Sequence, residues 1–220
     1  MKYTILFLAC LLLPGISIHA QDAELDVLSR EAAESLSSLL RDMETLTAEV
    51  NVLTLEQDGR EIQETTSRLI MQKPDHFSWE TLSPYPELLV TNGSHIWRFE
   101  YDLEQVTIES FSDDINRTPV LLLNGNADDI TETYYVSQAA MELDGRQRFI
   151  LSPRVYDSLY TRMSLTFNND RIEEMQFESS LGQKTSLTFA NLEINAAIDP
   201  LLFMIELPED MEVIDNTGEP

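Results

Sequence analysis

Few residues in this chain have the types and spacing that covalent chemistry needs. Beyond residue 20 it holds two histidines, His76 and His95, far apart in sequence, and no cysteine. Without a thiol there is neither a disulfide nor a thiolate nucleophile. No Gly-x-Ser-x-Gly elbow, His-Glu-x-x-His helix, P-loop or dinucleotide-type glycine pattern occurs. The carboxylate pairs Asp113-Asp114, Asp128-Asp129 and Glu173-Glu174 are the nearest thing to an acid–base or calcium site. They lack calcium-loop spacing, and adjacent carboxylates on a turn or strand usually face water. Asn92-Gly93-Ser94 and Asn116-Arg117-Thr118 match the glycosylation pattern, which a bacterial-type leader makes idle. The expectation is a protein that is not an enzyme and uses no cofactor or metal.

What the sequence does offer is grease in an ordered arrangement. Both tryptophans fall between Gln72 and Trp97. There Phe77 and Trp79 alternate, Leu89 follows a Pro84-Tyr85-Pro86 turn, and Asn92-Gly93 is a strong two-residue hairpin signal. Trp97 and Phe99 continue the alternation. These spacings predict consecutive strands of one curved antiparallel sheet with Phe77, Trp79, Leu89, Trp97 and Phe99 facing a common concavity. Taken singly, each of these residues is more readily explained as core than as ligand contact.

The elements that must position them follow from period. Leu25, Leu28, Ala32, Leu36, Leu39, Leu40 and Met43 recur at helical steps, predicting one amphipathic helix over 22–46. From Ala48 the period drops to two. Asp58-Gly59 turns the chain, and Thr65, Ser67, Leu69 and Met71 share a face on the return. Thr118 caps and Pro119 opens a short segment carrying Leu121, Leu122 and Leu123, ended by Asn124-Gly125. A helix that short has little stability of its own, so it reads as a lid held by packing. Asn126 to Thr131 allows a second short helical turn. Strands follow at 134–138, 147–151, 162–167, 172–177 and 183–192. A brief helical turn starts at Asp199-Pro200, a late strand holds Phe203, Ile205 and Leu207, and 211–214 is the last ordered stretch. The whole is mainly β, with about eleven strands and no linker that would divide domains.

Residues 1–20 form a leader in which Lys2 precedes the apolar run Tyr3–Leu13, Pro14-Gly15 breaks it, and Ala20 offers a cleavage site. That run is too short for a permanent span. Residues 21–220 are then one mature domain outside the cytoplasm. Of the 220 residues of the whole chain, leader included, 14 are basic and 39 acidic, a net charge of −25. Such a surface is repelled by nucleic acid and anionic lipid.

The ordered set Lys73-Pro74-x-x-Phe77-x-Trp79, Pro84, Asn92-Gly93-x-x-Ile96-Trp97, Gln105-Val106-Thr107, Thr118-Pro119-x-x-Leu122-Leu123, Leu181-Gly182-Gln183-x-Thr185 and Phe203-x-x-x-x-Pro208 resembles the LolA family. The resemblance spans about residues 24 to 214. It implies an unclosed antiparallel β-barrel whose hydrophobic cavity is covered by helices. It also implies a monomeric periplasmic carrier that accepts acylated lipoproteins from the inner-membrane LolCDE transporter and delivers them to the outer-membrane receptor LolB. Its acyl-chain and lid residues would be Lys73, Phe77, Trp79, Leu89, Trp97, Phe99 and Leu121–Leu123. The family commonly carries arginine where this chain has Lys73, bridging strand to lid through backbone carbonyls. Lysine keeps the charge without the planar fork, so a weaker latch, or another group sharing the role, is expected. Alternatives are a LolB-like anchored receptor, for which Cys10 is badly placed, a lipid-sensing regulator, for which a second domain is lacking, and an esterase without a visible nucleophile.

Overall fold

The computed structural model describes residues 18–111, 122–123, 127–139, 144–155 and 159–217. Helix α1 (Ile18–Arg41) precedes β1 (Thr45–Leu55), β2 (Glu61–Gln72), β3 (His76–Ser83), β4 (Glu87–Asn92), β5 (His95–Glu100) and β6 (Gln105–Ser110). Helix α2 (Ala127–Thr133) leads into β7 (Tyr134–Gln138), β8 (Arg146–Pro153), β9 (Tyr160–Asn168), β10 (Arg171–Ser179), β11 (Lys184–Ile194) and β12 (Glu212–Asp215). These twelve strands form one sheet in the order β12-β6-β5-β4-β3-β2-β1-β11-β10-β9-β8-β7. Among the described residues the edges β12 and β7 do not pair with each other, so the barrel is unclosed, as expected.

The hairpins sit where turn chemistry placed them. Gly59 and Gly93 take φ of +86° and +88°, a region open to glycine at no steric cost. Asn92 Oδ1 accepts the backbone N–H of Ser94 at 3.0 Å, fixing the β4–β5 turn.

Three boundaries differ from expectation. The helix runs from Ile18 to Arg41 rather than from Asp22 to Leu46. Leu46 instead pairs with Met71 on β2 and Ile194 on β11. Its apolar spacing suits both readings, and sheet pairing on two sides decides. The expected strand through Phe203, Ile205 and Leu207 does not form. Pro200–Phe203 is a 3₁₀ turn capped by Asp199, and residues 204–208 carry no regular structure. The final strand, β12, runs parallel to β6, from Glu212 opposite Gln105 to Asp215 opposite Ile108, so the sheet is not wholly antiparallel. The Thr118–Pro119 helix start lies outside the described residues.

The core lies in the concavity of the sheet. Leu46, Val50, Leu69 and Met71 from β1 and β2 meet Phe149, Leu165 and Phe167 from β8 and β9, all of them fully buried. Ala33, Leu36 and Leu40 of α1, Leu122, Leu123 and Ile130 fill the same cluster from above. Along the concave face of β2, Ser67, Leu69 and Met71 are buried, Thr65 is half-buried and Gln63 exposed. The barrel is therefore tightly packed at the Met71 end and looser at the other. At the packed end Asn195 pins the α1–β1 turn. Its side chain accepts from the Glu44 N–H at 2.8 Å and donates to the Asp42 carbonyl at 2.7 Å.

Candidate binding site

Strand register decides which greasy residues meet. Phe77 lies opposite Met71, and Trp79 lies between Leu69 on β2 and Leu89 on β4. The Phe77 and Trp79 rings stack at 6.3 Å with an interplanar angle of 13°. Phe77 belongs to the core cluster, and Trp79 and Leu89 are half-buried against it. Leu122 and Leu123 are both 0% exposed in that cluster. Phe77, Trp79, Leu89, Leu122 and Leu123 thus converge on one concavity. Leu121 lies outside the described residues.

Trp97 and Phe99 do not join them. Trp97 pairs with Val90, and Phe99 with Leu88. Paired residues share a face, so both side chains lie on the convex side of the sheet. There Val90, Phe99, Val106 and Phe203 are buried apart from the main cluster. Trp97 lines a groove with His76, Pro200 and Phe203. The expectation of one shared concavity is corrected at these two positions. The alternation within β5 holds, but the β4–β5 register puts Ile96 and Arg98, opposite Thr91 and Leu89, on the concave face. Period two cannot tell which of two sets faces inward.

Lys73 is part of the roof support, at a different point from the one the resemblance implied. Its Nζ donates to the Leu40 carbonyl at 2.7 Å, and its backbone N–H donates to the Glu44 carbonyl at 2.9 Å. Leu40 lies in the last turn of α1, where a cation is favoured; its carbonyl also accepts the Met43 N–H at 3.1 Å. Burial holds the Lys73 ammonium below the ordinary lysine range, Glu44 and Asp42 pull the other way, and Arg41 adds to the lowering.

Sequence reasoning missed a second latch, Arg154. Its Nε donates to the Thr131 carbonyl of α2 at 2.7 Å. Its Nη1 lies 3.5 Å from Asp26 of α1, and its guanidinium sits 3.9 Å from the Tyr135 ring centroid. One arginine therefore ties both helices to the β7–β8 hairpin, the carbonyl-directed role in which the planar fork surpasses lysine. Ser29 of α1 was also missed. Its hydroxyl accepts the Val136 N–H at 2.8 Å and so covers the free edge of β7. A polar residue on the helix stripe opposite an unpaired strand edge was the available signal.

The charged pairs resolve into ordinary contacts where they are described. Arg146 holds Glu173 through two bonds of 2.7 and 3.0 Å, and Glu174 accepts from Gln176 at 2.8 Å. His76 Nδ1 lies 2.8 Å from the Pro74 carbonyl. No group of three potential metal ligands occurs among the described residues. Nor does any described helix have the length and apolarity to cross a membrane.

Comparison with known proteins bears on this arrangement directly. Residues 41–206 match the family described as outer membrane lipoprotein carrier protein LolA. The chain belongs to the LolA family. A relative in Hahella chejuensis, named outer-membrane lipoprotein carrier protein, is 36% identical over 92% of this chain and 97% of its own. A relative of the same name in Pseudomonas aeruginosa is 33% identical over 96% of this chain and 97% of its own. A crystal structure of an uncharacterized conserved protein from Thermus thermophilus superposes with a TM-score of 0.51 at 16% identity. The match covers 89% of this chain and 100% of that one, and speaks for the fold alone. In this member of the LolA family Lys73 binds the end of α1 and Arg154 binds across the roof.

Proposed function

We propose that this protein is a periplasmic carrier that shelters the acyl chains of lipoproteins between the inner and outer membranes. The observation that carries the reading is the unclosed sheet whose concavity is filled by α1, Leu122 and Leu123 rather than by strand closure. Of the cover, α1 and the neighbouring α2 are tied to the barrel by side-chain bonds of Lys73, Arg154 and Ser29. Such bonds contribute only about 1 kcal/mol each, so most of the cost of displacing the cover is the apolar burial of its leucines, which incoming acyl chains would replace.

The energetics define the mechanism. Burial of acyl chain is worth roughly 0.8 kcal/mol per methylene, so a bilayer holds three lipoprotein chains by tens of kcal/mol. A protein without a nucleotide site cannot extract them unaided. The donor, the LolCDE transporter, supplies the work. The carrier holds the chains moderately, because its empty state is self-packed and opening it subtracts from net binding. Release to LolB is then favoured by re-closure of α1 and the Leu122–Leu123 segment over Phe77, Trp79 and Leu89. The mature form begins near Gln21 after cleavage at Ala20 and acts as a monomer of one domain.

The test is release of lipoproteins from spheroplasts bearing a competent donor transporter. The expected product is a soluble one-to-one complex of mature protein and lipoprotein. Lipoproteins remaining wholly in the membrane fraction would reject the reading.

A further inference from the structure

Ser67 is a hydroxyl-bearing residue in the wrong company. It lies on the concave face of β2, opposite Val50 on β1 and Thr81 on β3. It is 0% exposed, and its Oγ is buried without a hydrogen-bond partner. A donor left unpaired inside a protein costs stability. An alanine there would avoid that cost, so the hydroxyl asks for a partner beyond the protein's own groups.

Its position suggests what the partner is. On the same face toward the packed end lie Leu69 and Met71. Toward the looser end lie Thr65 and then Gln63, and the neighbouring strands place Thr54 and Thr185 there with their hydroxyls 3.2 Å apart. Along β2 itself Ser67 is the first hydroxyl on the concave face after Met71 and Leu69, while on the neighbouring strands Val52, Leu187 and Phe177 carry apolar lining further along. A ligand laid along this face with its tails toward Met71 would bring its first polar atoms to Ser67. In a diacylated lipid those atoms are the ester carbonyl oxygens, which accept hydrogen bonds and have none to donate.

We infer that Ser67 is a binding residue for the ester carbonyl of an acyl chain, donating its hydroxyl to that oxygen when the roof is displaced. The inference rests on the carrier reading and adds a polar subsite to it. The ester belongs to the cargo's diacylglyceryl group or to a membrane phospholipid, which share this chemistry.

The experiment compares the mature protein with Ser67→Ala, using a diacylated cysteinyl lipopeptide with ester-linked chains and its ether-linked counterpart of equal chain length. Loss of one hydrogen bond should weaken ester-lipopeptide binding about three- to tenfold in Ser67→Ala. Ether-lipopeptide binding should be the same in both proteins. A third arm uses a diacyl phospholipid of the same chains. Dependence on Ser67 in the lipopeptide arm alone assigns the ester to cargo, and dependence in both arms assigns it to diacylglycerol lipids generally. Either supports the inference. Equal losses for ester and ether ligands, or no loss for either, overturn it while leaving the carrier reading intact. Failure of the unaltered protein to bind any of the three ligands overturns both. Thermal unfolding gives an independent check: Ser67→Ala should be at least as stable as the parent, and a clear loss would overturn the inference by showing that the hydroxyl already has a partner.

Discussion

At the scale of single residues, two cations hold the roof and they are not interchangeable. Lys73 serves the end of α1 as a point charge on one carbonyl. Arg154 spans α2, Asp26 and Tyr135 together. Replacing Lys73 with methionine should lower stability by about 1 kcal/mol in urea unfolding, the net worth of one hydrogen bond. The pH dependence has a definite sign. Because the folded pKa lies below the ordinary value of 10.5, folding releases protons between the two. The associated stability is full above the unfolded pKa and is lost as pH falls through the lowered folded value. Lys73→Met should flatten that alkaline rise, and an unchanged slope would assign it to other groups. Sequence alone showed Lys73 as a departure from the family's arginine. It did not show Arg154, because the contact joins residues 23 positions apart through a backbone carbonyl, and carbonyls leave no mark on side-chain pattern. Ser67 was legible as a member of the Leu69–Met71 face; its want of a partner was not.

At the scale of elements, strand existence was readable except for the expected strand through Phe203, Ile205 and Leu207, which does not form, and orientation was not readable. Alternation in β3 and β5 gave correct same-face sets. Yet the sets Phe77/Trp79 and Trp97/Phe99 lie on opposite sides of the sheet, because Val90 rather than Leu89 stands opposite Trp97. Inward and outward faces of these strands are both apolar, since the 3₁₀ turn at Pro200–Phe203 packs on the convex side and buries Phe203. With grease on both faces, composition gives no clue to side. The covering elements carry two predictions. Leu123→Ala should cost about 2–5 kcal/mol, the range for truncating a fully buried leucine, measured as a shift in the urea midpoint. Arg154→Met should speed backbone hydrogen exchange in α2 and the neighbouring part of α1 while leaving β1 and β2 protected, since it loosens the cover and not the sheet. It should also hold cargo more tightly, because a less stable closed state subtracts less from binding. Unchanged exchange in α2 would show that Arg154 is not a latch.

At the scale of the whole molecule, a strongly acidic chain encloses an apolar interior filled by its own residues. The net charge of −25 should keep the protein in the supernatant when mixed with anionic vesicles at low salt, by repulsion. Sedimentation with such vesicles would speak against a freely diffusing carrier. The central claim is that acyl chains replace the roof against Phe77, Trp79 and Leu89. The chain's two tryptophans lie on opposite faces of one sheet, so they report on it separately. Trp97→Phe leaves Trp79 as the sole reporter on the concave side, and Trp79→Phe leaves Trp97 on the convex side. Each protein is loaded with a lipopeptide brominated along its acyl chains, which quenches tryptophan emission on contact. Strong quenching of Trp79 with little effect on Trp97 is the predicted result. Equal quenching of both, or quenching of Trp97 alone, would place the chains outside the concavity and contradict the account.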